Sequence, residues 1–456
     1  MDALSCLSPV DGREYARRPL ATDAKVGRVL EAAARAHPGW ARAPLAERCA
    51  VMLRFLEAME RLNGDIVPEL AWQMGRPVRY GGELGSLAER VRAIAGVAEG
   101  ALAPEVAAPG RSVVRVPVGL VLVIAPWNYP FLTAANTIVP ALLAGNAVLL
   151  KPSAQTPLTG ERFAEALRIA GLPEGLFDNL FLSHDQTARL LGSGHVGHAT
   201  FTGSVAGGRA VERAAAGSFT TLTLELGGKD PAYVRDDAEL AGAAEALADG
   251  SFYNSGQSCC GVERLYVHES VWQPFLDRFV DIVRQYRLGD PLDPGTSLGP
   301  MASARGAARV RQQLREAVAA GATAHVPEQL FPADRGEGAY LMPQVLTGVD
   351  HGMAIMREET FGPAIGVMKV KDDDEAVRLM NDSAYGLTAS IWTSDLAAAA
   401  RLASRIEAGT VYANRCDYLD PLLAWTGVKQ SGRGASLGRH GFDAVTRPKS
   451  LHLRSP

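Results

Sequence analysis

The amino-acid sequence predicts an α/β fold built on two parallel β-sheets that helices cover on both faces. The first observation is a set of strands made of continuous Val, Leu and Ile, at 119–125 and 146–150. The second is that helical segments, at 130–143 and 158–170, alternate with these strands. Buried apolar strands that alternate with helices are typical of parallel sheets. Such sheets bind ligands beyond the carboxyl ends of their strands.

A helical section precedes the first strand and covers about residues 24–102. It is rich in Ala, Leu, Arg and Glu at helical spacing, most clearly at 44–61, where Pro44 suits the start of a helix. The Pro- and Gly-containing stretch at 103–110 ends this section. The strand-like segment VVRV at 113–116 then indicates an excursion from the first domain.

The alternation continues along the chain and predicts a second α/β domain beyond Glu225. Strands are predicted near 178–182 and at 198–202, 221–224, 262–268, 365–370, 387–392 and 409–414. Helices are predicted at 238–253, 270–286, 373–382 and 395–406. The segment PKSLHLR at 448–454 indicates a terminal strand, which needs a sheet edge to join and can find one on another subunit.

Length, charge and hydropathy argue against a nucleic-acid-binding, membrane-spanning or secreted protein. A chain of 456 residues is long enough for two to four domains. Its net charge of −4 gives no reason to expect binding to nucleic acid or to an anionic membrane. The longest apolar stretch, 116–126, contains prolines and is too short to cross a bilayer. Residues 1–10 lack the basic and apolar regions of a secretory signal, so we expect a cytoplasmic protein.

The cysteines indicate neither a disulfide framework nor a metal site. Their number is odd, and they lack both C-x-x-C spacing and a Cys/His pattern of the kind that binds zinc. The five cysteines are Cys6, Cys49, Cys259, Cys260 and Cys416. No metal is therefore expected.

A thiol and a separate carboxylate lie in two glycine-rich segments. Cys259 belongs to NSGQSCCG and Glu225 to LELGGKDP. Together they suggest covalent chemistry on a carbonyl, in which sulfur attacks and the carboxylate activates water. Taken singly, a free thiol is more often a buried packing residue, and a lone carboxylate after a strand is more often a turn residue. The neighbour Cys260 is interpreted as a packing residue or a redox-sensitive one.

Further candidates follow the predicted strand ends. Asn128, in PWNYP, can donate to an oxyanion together with the backbone N–H of Cys259, although a Pro-bracketed turn is the simpler interpretation. Lys151, in KPSA, can bind ribose or phosphate oxygens. FTGSVAG at 201–207 places a glycine turn before a helix whose N-terminus can face a pyrophosphate. EETFGP at 358–363 supplies a carboxylate and an aromatic ring.

Taken together, these segments resemble the aldehyde dehydrogenase superfamily along nearly the whole chain. The landmarks, in chain order, are PWNYP, KPS, FTGS, LELGGK, GQSC ending at Cys259, EETFGP and YGL from Tyr385. The resemblance implies that Cys259 is the nucleophile, Glu225 the general base and Asn128 the oxyanion donor. It further implies a cofactor site for NAD or NADP lined by Trp127, Lys151, Gly203, Ser204, Leu226, Glu359 and Phe361. Because acylating relatives often lack the glutamate, Glu225 favours a free carboxylic acid as the product.

Two departures from the family pattern affect these expectations. Ala154 stands where many relatives carry a glutamate that holds the adenine ribose, and the missing carboxylate removes repulsion against a 2′-phosphate. We therefore expect NADP to be at least tolerated. Ser436, in GRGASLG, stands where many relatives carry a second glutamate proposed to relay protons. Any such relay in this chain must use another group.

The substrate is expected to be a small aldehyde, with Tyr129 and Arg415 as contacts. Arg415 opens the loop RCDYL, which corresponds to the variable substrate mouth of the family. It favours an aldehyde bearing a carboxylate, as in semialdehyde dehydrogenases, and an arginine at the rim with no such role is the alternative.

The resemblance also implies a domain organisation and an oligomer. Two Rossmann-like parallel-sheet domains are expected, with residues 1–102 and 118–227 forming the NAD(P)-binding domain and 228–430 the catalytic domain. A small β element for oligomerisation would comprise 103–117 and 431–456. A homodimer or homotetramer follows.

Two other functions compete with aldehyde oxidation. A cysteine esterase or hydrolase without a redox role would use the same thiol, but none of the nine histidines lies in a recognisable partner motif. A noncatalytic structural or binding protein on this scaffold would not need Cys259, Glu225 and Asn128 together.

Overall fold

The computed structural model describes residues 3–454. In chain order its strands are β1 (Ala3–Leu7), β2 (Glu14–Pro19), β3 (Glu105–Ala108), β4 (Arg111–Pro117), β5 (Leu120–Ile124), β6 (Ala147–Lys151), β7 (Phe177–Asn179), β8 (His198–Thr202), β9 (Thr221–Glu225), β10 (Asp230–Val234), β11 (Val262–His268), β12 (Thr323–Ala324), β13 (Gln344–Thr347), β14 (Ala364–Val370), β15 (Tyr385–Gly386), β16 (Thr388–Trp392), β17 (Thr410–Ala413), β18 (Val428–Lys429), β19 (Gly432–Arg433) and β20 (Thr446–His452).

The helices of the same residues are α1 (Asp23–Arg42), α2 (Leu45–Met74), α3 (Leu84–Leu102), α4 (Pro130–Leu143), α5 (Leu158–Ile169), α6 (His184–Gly192), α7 (Val205–Ala215), α8 (Leu240–Phe252), α9 (Trp272–Val283), α10 (Ala304–Ala319), α11 (Ala354–Arg357), α12 (Asp373–Asn381), α13 (Leu396–Ala403) and α14 (His440–Val445). The predicted helical opening is therefore three helices, and the helix predicted from Pro44 begins at Leu45.

The first large sheet has six strands in the order β19-β9-β8-β5-β6-β7. All neighbours are parallel except β19, which pairs antiparallel with β9. β5 and β6 are almost fully buried, as continuous Val and Leu predict for strands with helices on both faces. Because carboxyl ends of parallel strands share one edge, Asn128, Lys151, Gly203 and Glu225 lie along the same edge.

The second large sheet has seven strands in the order β12-β13-β14-β11-β10-β16-β17. Its neighbours are parallel apart from β12, which pairs antiparallel with β13. The predicted α/β class with two parallel sheets is thus confirmed. Cys259 lies shortly before β11, and Glu359 lies shortly before β14. β10, which the sequence did not predict, occupies a central position in this sheet.

A three-stranded antiparallel sheet, in the order β20-β4-β3, stands apart from the two large sheets. β20 pairs with β4 along its whole length, from Thr446 opposite Pro117 to His452 opposite Arg111. The predicted terminal strand therefore finds its sheet edge within this chain. Among residues 3–454, no helix has both the length and the apolar character needed to cross a membrane.

Candidate active site

The backbone that presents Cys259 turns sharply between α8 and β11. Asn254, Ser255 and Gly256 have φ values of 54°, 56° and 68° in succession. Left-handed backbone of this kind is costly for residues other than glycine, with Asn among the better tolerated. At Gly256 there is a second constraint, because a Cβ would collide with the carbonyl oxygen of Gly362.

Side-chain hydrogen bonds hold this strained turn in place. Ser255 Oγ donates to the carbonyl of Gly299 at 2.8 Å. Gln257 donates through Nε2 to the carbonyl of Asn254 at 3.0 Å, and its Oε1 accepts from the backbone N–H of Ala302 at 2.8 Å. Strained backbone persists only where several surrounding contacts hold the same conformation. Such strain is found most often at functional sites. The cysteine loop is therefore preorganised.

Asn128 joins the edge of the first sheet to the cysteine loop. It follows β5 and is 5% exposed. Its Nδ2 donates to the carbonyl of Gln257 at 3.1 Å. Because a side-chain amide carries two N–H groups, one donor remains for a ligand. The backbone carbonyl of Asn128 accepts from the buried guanidinium of Arg76, which fixes the turn that carries the amide.

Glu83, just before α3, ties this turn to the start of α4. Its Oε2 accepts from the backbone N–H groups of Phe131 and Leu132, at 3.0 and 2.7 Å. Its Oε1 forms a buried ion pair with Arg76 at 2.7 Å. A carboxylate at a helix N-terminus satisfies free N–H groups and complements the helix dipole. The position of Asn128 therefore depends on α3 as well as on β5.

Glu225 is the last residue of β9 and is 7% exposed. Its Oε1 accepts from Ser436 Oγ at 2.5 Å, and its Oε2 accepts from Thr202 Oγ1 at 3.0 Å. Burial raises the pKa of Glu225, whereas the hydrogen bonds from Ser436 and Thr202 act in the opposite direction. A buried carboxylate with a raised pKa and only two of its lone pairs occupied is suited to accept a proton from water.

The two glycines after Glu225 bring the cysteine loop and the EETFGP turn together. A Cβ on Gly228 would lie 2.5 Å from the carbonyl oxygen of Cys259. A Cβ on Gly227 would collide with the carboxylate of Glu359. Glycine is required at both positions because the neighbouring groups occupy the space of a side chain. LELGGK is thus the point where the three motif segments meet.

Lys151 ends β6 at the same sheet edge and is 9% exposed. Its ammonium group donates to the carbonyl of Pro152 at 3.3 Å and forms no ion pair with the residues that the structure describes. Burial lowers the pKa of Lys151. A buried ammonium without a carboxylate partner is costly, and oxygen atoms of a bound cofactor would offset that cost.

The segment after β8 forms the N-terminus of α7. Ser204 is the N-cap, and its Oγ accepts from the N–H of Gly207 at 3.2 Å. Gly203 lies against the ring of Phe201, where a Cβ would come within 2.7 Å. The helix N-terminus leaves backbone N–H groups free, which suits a pyrophosphate. Leu226 is buried and packs near this helix.

The aromatic rings predicted for the cofactor site also meet. Trp127 and Phe361 are in edge contact, with ring centroids 5.6 Å apart. Glu359, two residues before Phe361, accepts from the N–H of Gly228 at 3.2 Å. Burial raises the pKa of Glu359 to about 7, and the nearby carboxylate of Glu263 adds to the shift.

Glu263, on β11, anchors the EETFGP turn and was not found from the sequence. Its two oxygens accept from the backbone N–H groups of Thr360 and Phe361, each at 2.8 Å. It also forms a buried ion pair with Lys229, at 2.6 Å, and Lys229 donates to the hydroxyl of Thr360. Phe361 has a φ of 50°, which these contacts maintain. The ion pair therefore positions Glu359 and Phe361.

The two predicted substrate residues occupy different surroundings. Tyr129 follows Asn128 and packs against Arg76, whose guanidinium carbon lies 4.9 Å from the ring centroid. Arg415 is exposed and stacks on Tyr418, with 3.3 Å between the guanidinium carbon and the ring centroid. Arg415 thus lies at the surface of its loop.

The loop that contains Arg415 also brings a carboxylate to the cysteine loop. Asp417 Oδ1 accepts from Ser258 Oγ at 2.6 Å and from Cys260 Sγ at 3.1 Å. Burial raises the pKa of both Asp417 and Cys260, and for Cys260 the contact with Cys259 is the larger cause. Cys260 is therefore buried and hydrogen-bonded, in agreement with the packing interpretation. Nothing in the sequence pattern singled out Asp417.

No group of three His, Cys, Asp or Glu side chains in the described part of the chain could hold a metal ion. Cys259, Asn128 and Glu225 come from three separate segments. Of the residues predicted for a cofactor site, Lys151 and Gly203 lie at the edge of the first sheet, whereas Glu359 and Phe361 lie in the turn before β14 of the second sheet.

Comparisons with known proteins point to one enzyme family. The sequence model described as "Aldehyde dehydrogenase family" matches residues 2–451. A betaine aldehyde dehydrogenase from Rhizobium etli is 36% identical over 455 residues, which cover 99% of this chain and 93% of the relative. A 3,6-anhydro-alpha-L-galactose dehydrogenase from Streptomyces coelicolor is 35% identical over 464 residues, covering 99% and 93%.

The fold has a close counterpart among solved structures. The succinic semialdehyde dehydrogenase from Streptococcus pyogenes, solved with NADP+ as the cofactor, superposes with a TM-score of 0.94. The two sequences are 27% identical, and the match covers 99% of this chain and 100% of the other. The two parallel sheets and the small antiparallel sheet are thus those of an established enzyme architecture.

Proposed function

Because the chain belongs to the aldehyde dehydrogenase family and oxidises aldehydes with NAD or NADP, we propose that Cys259, Asn128 and Glu225 carry out the chemistry. The observation that carries this proposal is the convergence of three segments. The amide of Asn128 contacts the cysteine loop, and Gly228, three residues after Glu225, lies against the carbonyl of Cys259. The product is a free carboxylic acid.

The first step forms a bond between Cys259 sulfur and the aldehyde carbon. The carbonyl electron pair moves to oxygen, and the negative charge needs donors that are already in place. The free N–H of the Asn128 amide and the backbone N–H of Cys259 supply them. Since the loop is held by its own side-chain hydrogen bonds, little reorganisation accompanies the attack.

The cofactor site is proposed along the edge of the first sheet. Lys151 would donate to ribose oxygens, and the α7 N-terminus, with Gly203 and Ser204, would hold the pyrophosphate. Leu226, Trp127 and Phe361 provide apolar walls, and Glu359 accepts from ribose hydroxyls. NAD(P)+ held there would supply the hydride acceptor for the oxidation. Ala154 is exposed in the turn after Lys151 and leaves room for a 2′-phosphate, so we include use of NADP in the proposal.

The second step releases the acyl group from Cys259. Glu225 takes a proton from water, the resulting hydroxide attacks the thioester carbon, and sulfur leaves as the thiolate. The raised pKa of Glu225 makes it a stronger base than an exposed carboxylate. Ser436 and Thr202 each occupy one of its oxygens and orient the carboxylate.

We propose that the chain divides into an NAD(P)-binding domain, a catalytic domain and an oligomerisation element. The two large sheets and the separate β20-β4-β3 sheet support this division. A homodimer or homotetramer is proposed because the edges of that small sheet are unpaired within residues 3–454. A cytoplasmic location is supported by the five free cysteines, which suit a reducing compartment.

A panel of aldehydes, monitored by nicotinamide reduction with NAD+ and NADP+ in parallel, tests the function. We expect reduction with at least one aldehyde and none in the Cys259→Ala variant. Acid formation without nicotinamide reduction would instead indicate the hydrolase. Absence of both products with every aldehyde would favour a noncatalytic protein.

A further inference from the structure

Arg90 is a buried cation that takes no part in the proposed steps of aldehyde oxidation. It lies on α3 and is 6% exposed. It forms no ion pair with the described residues, and both of its hydrogen bonds use Nη1, to the carbonyl of Leu132 and to Asn136 Oδ1. By contrast Arg264, which is also buried, uses all three of its nitrogens in hydrogen bonds to protein acceptors. Arg90 therefore retains donors at Nε and Nη2.

Its neighbour Asn136, on α4, has a free donor as well. Asn136 is 1% exposed, and its Nδ2 is buried without a hydrogen-bond partner among residues 3–454. Its Oδ1 is already occupied by Arg90 at 2.8 Å. The pair thus offers unused N–H groups and one uncompensated positive charge. Leaving the Asn136 amide buried without an acceptor is costly, and an arriving acceptor would remove that cost.

The pair lies close to the candidate nucleophile. α4 begins directly after Asn128 and Tyr129, and Asn136 lies two turns along it. Burial lowers the pKa of Arg90, while the nearby carboxylates of Glu83 and Glu225 act on it in the opposite direction. The base Glu225 is therefore within electrostatic range of Arg90.

The nearby carboxylates already have other partners. Glu83 is engaged with Arg76 and with the first N–H groups of α4. Glu225 accepts from Ser436 and Thr202. Asp417 accepts from Ser258 and Cys260. None of the three forms a hydrogen bond to Arg90, so a bound ligand is the natural source of its counterion.

We propose that Arg90 and Asn136 form an anion-binding subsite for the substrate, so that the preferred aldehyde carries a carboxylate remote from its carbonyl. This proposal rests on the proposed function. Arg415 is exposed and stacked on Tyr418, whereas Arg90 is buried and hydrogen-bonded to α4, the helix that begins directly after Asn128 and Tyr129. A carboxylate is bound in two-point fashion by guanidinium and amide donors, and such charge-assisted hydrogen bonds are the stronger kind.

Matched substrate pairs test the subsite. We would measure kcat and KM for 4-oxobutanoate against butanal, and for 5-oxopentanoate against pentanal, with the intact enzyme. The unmodified enzyme should prefer the carboxylate member of at least one pair by about 30-fold or more in kcat/KM. In Arg90→Met, kcat/KM for that member should fall about 100-fold, mainly through KM, while the value for its neutral partner falls less than about fivefold.

A matched control is available on the same helix. Arg92 is exposed, and Arg92→Met should leave both substrates at the unmodified rate. Equal losses on charged and neutral aldehydes in Arg90→Met would overturn the proposal, since a structural or thiol-activating role would produce that result. The proposal would also be overturned if the unmodified enzyme showed the same kcat/KM for the carboxylate-bearing and the neutral aldehydes.

Inhibition of the unmodified enzyme gives a second measurement that needs no variant. Succinate should compete with 4-oxobutanoate at least tenfold more tightly than butanoate does, because its second carboxylate reaches Arg90. Equal inhibition by the two would count against the subsite. If neither the charged nor the neutral aldehydes reduce the nicotinamide, the proposed function itself fails. If neutral aldehydes are oxidised as well as their carboxylate partners, the function stands and only the subsite fails.

Discussion

The hydroxyl of Ser436 donates a hydrogen bond to the carboxylate of Glu225, with 2.5 Å between Oγ and Oε1. Ser436 is 3% exposed and belongs to the glycine-rich segment beside β19. Ser436, which stands at the position of the second glutamate in the family pattern, is therefore in direct contact with the base Glu225. A hydroxyl can pass on a proton as well as hold the carboxylate.

Ser436→Ala should shift the acidic limb of the kcat profile to higher pH. The hydrogen bond from Ser436 lowers the pKa of Glu225 against the effect of burial, so its loss leaves the pKa higher. More Glu225 is then protonated at a given pH, and kcat at pH 6 should fall about fivefold more than kcat at pH 8. Ser436→Thr, which keeps the hydroxyl, is the control. Superimposable pH profiles for Ala and unmodified enzyme would contradict this role.

Ala154→Glu should make the enzyme discriminate against NADP. A carboxylate in the turn after Lys151 would repel the 2′-phosphate, so kcat/KM for NADP+ should drop at least tenfold relative to NAD+. Ala154→Gln introduces a side chain of similar size without charge and should change the ratio much less. A strong preference of the unmodified enzyme for NAD+ would show that Ala154 does not admit the phosphate.

The affinity for the cofactor should weaken as the pH falls through 7. The pKa of Glu359 is raised to about 7 by burial. In the proposed cofactor site, only the ionised carboxylate could accept hydrogen bonds from both ribose hydroxyls. KM for NAD(P)+ should therefore rise roughly tenfold between pH 8 and pH 6. Glu359→Gln should have a raised KM that no longer depends on pH in this range. A persistent pH dependence in that variant would assign the titration to another group.

Glu263→Gln should destabilise the protein and weaken cofactor binding together. The substitution leaves the Lys229 ammonium buried without its carboxylate, which typically costs about 3–5 kcal/mol. It also loosens the turn that carries Glu359 and Phe361. Thermal unfolding and KM for NAD(P)+ measure the two effects. Glu358→Gln breaks an exposed ion pair with Arg309 and should change stability by no more than about 1 kcal/mol.

Much of the fold could be predicted because its strands are continuous apolar runs. The bounds predicted for α4 and for β11 agree with the structure. β10 was missed because it begins with Asp230 and Pro231, and proline argues against a central strand. In the structure the pairing register shifts between these two residues, which accommodates the proline at the start of the strand.

The site could be predicted only as a set of motif residues. Glycine-rich segments indicated Cys259 and Glu225, and a Pro-bracketed turn after an apolar strand indicated Asn128. These signals did not show how the three residues approach one another. Ser436 and Glu225 are 211 positions apart, so their hydrogen bond has no local signal. Asp417 and Arg90 lie in a loop and a helix whose sequences resemble ordinary polar surface. Their importance depends on burial, which only the fold reveals.

The most direct test of the account is a rapid-mixing experiment on Glu225→Gln with an aldehyde and NAD(P)+. If Cys259 acts before the hydride leaves and Glu225 only afterwards, one equivalent of reduced nicotinamide should appear in a burst. The following turnovers should be slower by about 100-fold or more, and mass spectrometry should find the acyl group on Cys259. Steady turnover at the unmodified rate, or no burst and no acyl adduct, would contradict the proposed division between the two residues.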